Sequence, residues 1–236
     1  MNKLLTTLFA LGVACVTSVA HSQAAPAAPA PAAAVTAAPA EPAGAKTVQA
    51  KVAMCIGCHG IPGYQASFPE VHRVPMISGQ NAKYLVAALN AYKTGDRKHP
   101  TMRGIAETLS EQDITDISNF YAQSGVKSGE KLADKPSREP SAKVAALLQK
   151  AACASCHGAN FSQPIENYPK IGGQHKDYLF AALRAYKIEG NPLVGRNNAV
   201  MGAIAKQFSN SELKALSAYI GELDGELKTV PESRFR

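Results

Sequence analysis

Residues 75–93 read PMISGQNAKYLVAALNAYK, and residues 169–187 read PKIGGQHKDYLFAALRAYK. Both fit one pattern, P-x-I-x-G-Q-x-x-x-Y-L-x-A-A-L-x-A-Y-K. In the first copy Leu85, Ala88, Leu89 and Tyr92 recur at helical spacing, and the second copy repeats them. A duplicated amphipathic helix behind a Gly-Gln turn implies two similar units in tandem. The 236 residues suffice for two small domains, and 46% hydrophobic with 18% charged is an ordinary globular composition.

The duplication extends outward from this block. Pro75 and Pro169 differ by 94, as do Tyr84 and Tyr178, whereas His59 and His157 differ by 98 and Met102 and Met201 by 99. The insertions therefore fall in two places, as loops allow. A helix is expected to run into each cysteine motif, over Lys46–Cys58 and Ala142–Cys156. A second covers Asn81–Lys93 and His175–Lys187. The last begins at Ser110 or Ser209, where Ser-x-x-Asp and Ser-x-x-Glu form capping boxes. No strand-type alternation is seen, so the expected fold is all-α. The expected domains are 46–134 and 135–236, joined through the polar, proline-bearing segment 125–141.

Four of the five cysteines lie in Cys55-Ile56-Gly57-Cys58-His59 and Cys153-Ala154-Ser155-Cys156-His157. Two thiols three residues apart can add across the two vinyl groups of a haem, and the histidine that follows binds its iron. A four-cysteine zinc site spaces its pairs by roughly 15–20 residues, against 94 residues between these pairs. A thiol-redox motif expects a βαβ setting that this chain lacks. The reading is two covalent haem c groups, held by Cys55, Cys58, Cys153 and Cys156 and ligated by His59 and His157.

The sixth iron ligand follows from the frame. Met54 abuts Cys55, and Met76 matches Lys170, so neither is duplicated. Met102 and Met201 match each other and lie 43 and 44 residues after their histidines, which makes them the expected distal ligands. His72, His99 and His175 have no histidine counterpart and read as surface residues. A backbone carbonyl near Pro75 or Pro169 is the expected acceptor for the ligand imidazole. Gly79 and Gly173 suggest a close backbone approach to the haem edge. Gln80, Gln174, Tyr84, Tyr92, Tyr178 and Tyr186 are candidate propionate donors. For the tyrosines, packing with the hydroxyl in water is an equal alternative.

Residues 1–24 read as a secretory signal, with Lys3, an apolar run from Leu4 to Ala14, and small residues before Ala24. Cleavage after Ala24 or Ala20 is the main expectation; an uncleaved anchor and lipidation at Cys15 are the alternatives. Residues 25–45 form an Ala/Pro-rich tail or tether. Net charge is +7 overall, +2 over residues 46–134 and +5 over 135–236. There is no dense basic cluster, so nucleic-acid binding is a poor fit.

The CxxCH pair, the P-x-I-x-G-Q-x-x-x-Y-L blocks and the Met102 and Met201 segments leading into Leu109-Ser110 and Phe208-Ser209 together resemble class I cytochromes c. Among these, the chain is similar to the tandem di-haem cytochrome c4 group over roughly residues 46–225. The resemblance implies two domains related by a pseudo-twofold axis, with propionate edges facing across the interface. It implies a monomeric periplasmic electron carrier, a quinol-oxidising complex as donor and a haem-copper terminal oxidase as acceptor. Attachment to the membrane through the N-terminal segment stays open. Two other functions are consistent with two haem groups: a di-haem enzyme, such as a peroxidase or sulfur-compound dehydrogenase, or a haem subunit of a larger respiratory complex. An enzyme needs one open iron, and two matched methionines argue against it.

Overall fold

The computed structural model describes residues 46–127, 129 and 131–232. The expected signal, the Ala/Pro tail and Cys15 lie outside the described residues. In the first half, α1 (Val48–His59) leads into β1 (Gln65–Ala66) and β2 (His72–Arg73). There follow α2 (Ala82–Thr94), β3 (Arg97–Lys98), α3 (Pro100–Glu107) and α4 (Glu111–Gln123). The second half has α5 (Ala142–Ala151), α6 (Ala154–His157), α7 (Lys176–Ala185), β4 (Gly195–Arg196), α8 (Ala199–Lys206) and α9 (Asn210–Gly221). The fold is all-α apart from these two-residue strands, which are too short for alternation to register in the sequence.

Each helix starts where its side chains permit. Asn81 caps α2 by accepting from the Lys83 and Tyr84 amides. Ser110 and Ser209 head full capping boxes with Asp113 and Glu212, satisfying amides that a helix start would otherwise leave bare. The apolar stripes then meet. In the first half α2 and α1 both pack on α4, burying Val52, Leu85, Leu109, Ile114, Ile117 and Tyr121. In the second, α7 and α5 pack on α9 around Leu179, Leu213, Leu216 and Ile220. The lysine closing each duplicated block has a fixed task. Lys93 Nζ donates to Leu109 O and Lys187 Nζ to Phe208 O, both at 2.7 Å, which ties the long helix to the turn before the last one.

One expected helix is divided. Ala152 adopts a left-handed conformation (φ 48°) and ends α5, so the second CxxCH sits largely on the short α6. The expected helix Ala142–Cys156 is thus two elements, while its counterpart α1 is continuous. The Ala-Ala-Cys-Ala run carries no glycine or proline to mark the break.

The two halves are related by a pseudo-twofold axis, and their junction records it. Gln80 Oε1 accepts from the Lys170 amide at 2.8 Å, and its Nε2 donates to Lys170 O at 2.9 Å. Gln174 does the same with Met76, at 3.0 and 2.8 Å. Since Gln80 matches Gln174 and Met76 matches Lys170, this is the exchange a twofold demands. The axis runs between β3 and β4, where Arg97 pairs directly with its equivalent Arg196. Both glutamines hold this junction, a role beyond the propionate contact expected of them, and each amide nitrogen keeps a second N–H.

The C-terminal segment then crosses back to the first half. Lys228 bridges Ser78 in antiparallel fashion, its amide 3.0 Å from Ser78 O. Gly79 has φ +82°, and a Cβ there would lie 2.7 Å from Glu226 O. Gly173 has φ +73°, with the Leu223 carbonyl 3.0 Å from its Cβ position. The glycines therefore admit neighbouring backbone rather than a haem edge.

Candidate haem centres

A continuous cavity of about 730 Å³ runs through both halves. Cys55, Cys58, His59 and Met102 line it from the first half, and Cys153, Cys156, His157 and Met201 from the second. The structure thus brings each sequence-predicted set to one cavity. Met54 is half exposed beside Cys55, and Met76 is held at the junction by Gln174.

Each CxxCH histidine is oriented by the expected partner. His59 Nδ1 lies 2.8 Å from Pro75 O, and His157 Nδ1 lies 2.9 Å from Pro169 O. A carbonyl can only accept, so Nδ1 carries the proton and Nε2 keeps its lone pair. Burial pushes both imidazoles below the ordinary histidine range, favouring the neutral form that binds iron. The thiols behave differently. Burial pushes Cys55 up to about 11 and raises Cys153. A thiol–disulfide exchanger needs the opposite shift. Among the described residues no three His, Cys, Asp or Glu side chains converge on a metal-sized site, as zinc binding would need.

The distal residues are placed by short helices absent from the sequence reading. Met102 lies in α3 and Met201 in α8, each three residues after its cap. His99 Nδ1 accepts from the Met102 amide at 3.4 Å, and Asn198 Oδ1 accepts from the Met201 amide at 2.9 Å. His99 is therefore the N-cap of the methionine helix, matching Asn198. His72 also departs from expectation. It is buried, its Nδ1 lies 2.9 Å from Glu70 O, and it faces Tyr178 across the junction at 6.1 Å between ring centroids.

Two functional-site residues went unread in the sequence: Arg97 and Arg196. The signal was present, because they differ by 99, the offset of Met102 and Met201. Arg97 Nη1 donates to Tyr84 Oη at 3.0 Å, and its Nη2 donates to Tyr178 Oη at 2.6 Å. Arg196 Nη2 also donates to Tyr178 Oη, at 3.2 Å. The Tyr84 and Tyr178 hydroxyls are thus engaged by arginine inside the protein, not left in water.

The cavity suits the group that the motifs imply. It carries paired thiols, a neutral imidazole and a thioether on each side, with two guanidiniums between. Comparisons with known proteins agree. The cytochrome c family model matches residues 141–224. Cytochrome c4 of Stutzerimonas stutzeri is 32% identical over 196 residues, covering 75% of this chain and 87% of that protein. A protein named thiosulfate dehydrogenase electron acceptor, from Thiomonas intermedia, is 26% identical over 72% of this chain and 78% of its own length. The crystal structure of reduced recombinant cytochrome c4 from Pseudomonas stutzeri superimposes with a TM-score of 0.53 at 27% identity. It covers 75% of this chain and 97% of that one.

Proposed function

The chain belongs to the cytochrome c4 family and is a di-haem electron-transfer protein, and from that premise we propose a periplasmic carrier with no catalytic turnover of its own. It takes electrons from a quinol-oxidising complex and delivers them to a haem-copper terminal oxidase. His59 with Met102, and His157 with Met201, are the residues that would hold the two irons. Each bound haem c supplies a one-electron iron couple. The chain's task is to hold both irons closed and unreactive. Cys55, Cys58, Cys153 and Cys156 anchor the groups, the Pro75 and Pro169 carbonyls fix the imidazole planes, and the capped α3 and α8 hold the thioethers.

The observation that carries this reading is the matched distal geometry. Two helices of equal length, capped in the same way, bring one methionine each to the cavity. An enzyme of this architecture needs one iron open to substrate. Among the described residues no helix is long and apolar enough to cross a membrane.

The far-red methionine-to-ferric-haem band, measured per haem, tests the assignment. Two methionine equivalents, with no carbon monoxide complex in the reduced protein, are expected. One equivalent, or carbon monoxide binding at one haem, would turn the reading to an enzyme. The relative named for accepting electrons from thiosulfate dehydrogenase supports a second donor. Stopped-flow reduction by a quinol-oxidising complex and by a thiosulfate dehydrogenase separates the two: the faster second-order rate identifies the donor class.

A further inference from the structure

Two arginines meet at the pseudo-twofold axis without an acid to neutralise them. Arg97 is 9% exposed and stands opposite Arg196 in the β3–β4 pair. Among the described residues neither guanidinium has a carboxylate within ion-pair range. Their neighbours are tyrosines. Arg97 lies over the Tyr92 ring at 4.6 Å, and Arg196 lies over Tyr178 and Tyr186 at 5.5 and 5.4 Å. The faces of aromatic rings offset only part of the cost of placing one buried and one half-buried like charge together.

Among the described residues three donors at this node have no acceptor. Arg97 Nε is buried and makes no hydrogen bond. Tyr178 Oη already receives two N–H groups, so its own proton must be given elsewhere. Tyr84 Oη receives one, and its proton is likewise left over. All of these side chains line the cavity that holds the two haem-binding sets. The local field is strongly positive: burial alone would push the Tyr178 phenol up, yet the two guanidiniums bring it down to about 8. The combination of fork donors, hydroxyls and uncompensated positive charge suits carboxylates, and haem carries two of them as propionates.

We propose that Arg97, Arg196, Tyr84 and Tyr178 form one carboxylate-binding node shared by both haem groups, and that Arg97 serves the two at once. The asymmetry of the hydrogen bonds sets the roles. Arg97 engages a tyrosine of each half, whereas Arg196 engages only tyrosines of its own half. Arg97 is thus a positioning residue that couples the two redox centres through one side chain, and Arg196 biases the second.

Potentiometric titration of the holoprotein tests this, with the haems told apart by the methyl resonances of their methionine ligands. A nearby positive charge stabilises the reduced state, so its loss lowers a potential. R97Q is expected to lower both potentials, each by about a tenfold loss in electron affinity, about 59 mV for a one-electron couple. R196Q is expected to lower chiefly the second. R97K keeps a charge but cannot span two hydroxyls, so one potential holds while the other falls. A shift at the first haem alone in R97Q overturns the shared node. If R97Q does not load haem, R97K decides, and wild-type values at both haems in R97K overturn it. The haem absorbance of each variant keeps a loading failure distinct from a failure of the proposal.

Discussion

The two halves share a frame for holding iron and differ in what surrounds it. Around the first CxxCH, α1 is continuous, a β1–β2 hairpin stands beside the cavity, and Tyr121 lines the wall near Cys55. Around the second, the helix is broken at Ala152, no hairpin occurs among the described residues, and Ile220 replaces Tyr121 in the frame. The Tyr121 hydroxyl is buried beside the Cys55 thiol, whereas Ile220 presents only hydrocarbon. The difference teaches that duplication conserves donor placement and leaves local polarity free to diverge. Potential depends on hydrogen bonding and dielectric around the haem, so two centres built alike need not be equal.

Removing a distal ligand tests the shared part of the comparison most severely. M102A and M201A are each expected to abolish half of the far-red methionine band and to lower one potential by on the order of 100 mV. Absorbance and potentiometry read both effects. If one variant leaves the band intact, the halves are not equivalent at iron.

The junction comes next. Q80A and Q174A each remove two hydrogen bonds across the junction, and one to the amide that follows the glutamine, and strand half-buried backbone groups of Lys170 or Met76. A loss of about 2–3 kcal/mol is expected in either variant, measured by denaturant unfolding of the holoprotein. Equal losses sustain the pseudo-twofold; a difference beyond about 1 kcal/mol, the typical worth of one hydrogen bond, breaks it.

The capping boxes sharpen the contrast by about 1 kcal/mol. Asp113 bonds Ser110 and also meets Lys51, and these contacts hold its carboxyl down at about 2. Glu212 is lowered by Ser209 in the same way, without a matching lysine contact. A carboxyl depressed in the folded state adds stability above its unfolded pKa and loses it as pH falls through the folded value. Asp113's contribution should therefore fade from about pH 4 towards pH 2. D113N should flatten the acid limb of the stability curve over that window. An unchanged limb in D113N would show that Asp113 adds nothing there.

The smallest expected effect is the most specific. Y121F removes the buried hydroxyl beside Cys55 and is expected to lower the first potential by about 20–40 mV, the scale of one hydrogen bond formed there. The second potential should stay fixed. Movement at both would mean that Tyr121 acts through packing rather than as a local dipole.

Much of this architecture was legible because it rests on repeated, chemically narrow residues. The cysteines, the ligand histidines and Met102 with Met201 stand in register, and the Ser110 and Ser209 boxes mark helix starts by a local rule. What escaped depends on tertiary partners. Gln80 and Gln174 look like any buried amide until the opposite half supplies Lys170 and Met76. Gly79 and Gly173 are required by carbonyls over 40 residues away in sequence. Arg97 and Arg196 went unread, since nothing local says that β3 meets β4. The break at Ala152 has no local sign. His72 read as exposed because its burial comes from a hairpin present in one half alone.

The return of residues 226–228 to Ser78 and Gly79 bears on the order of manufacture. The first half is made before the second, yet part of its surface is supplied by residues 226–228 of the second. A nascent chain holding only residues 46–134 leaves the Ser78 carbonyl without its Lys228 partner. The tandem is sequential as a gene product and clasped as a molecule, so a first half excised at the linker is not the same object as the first half in place.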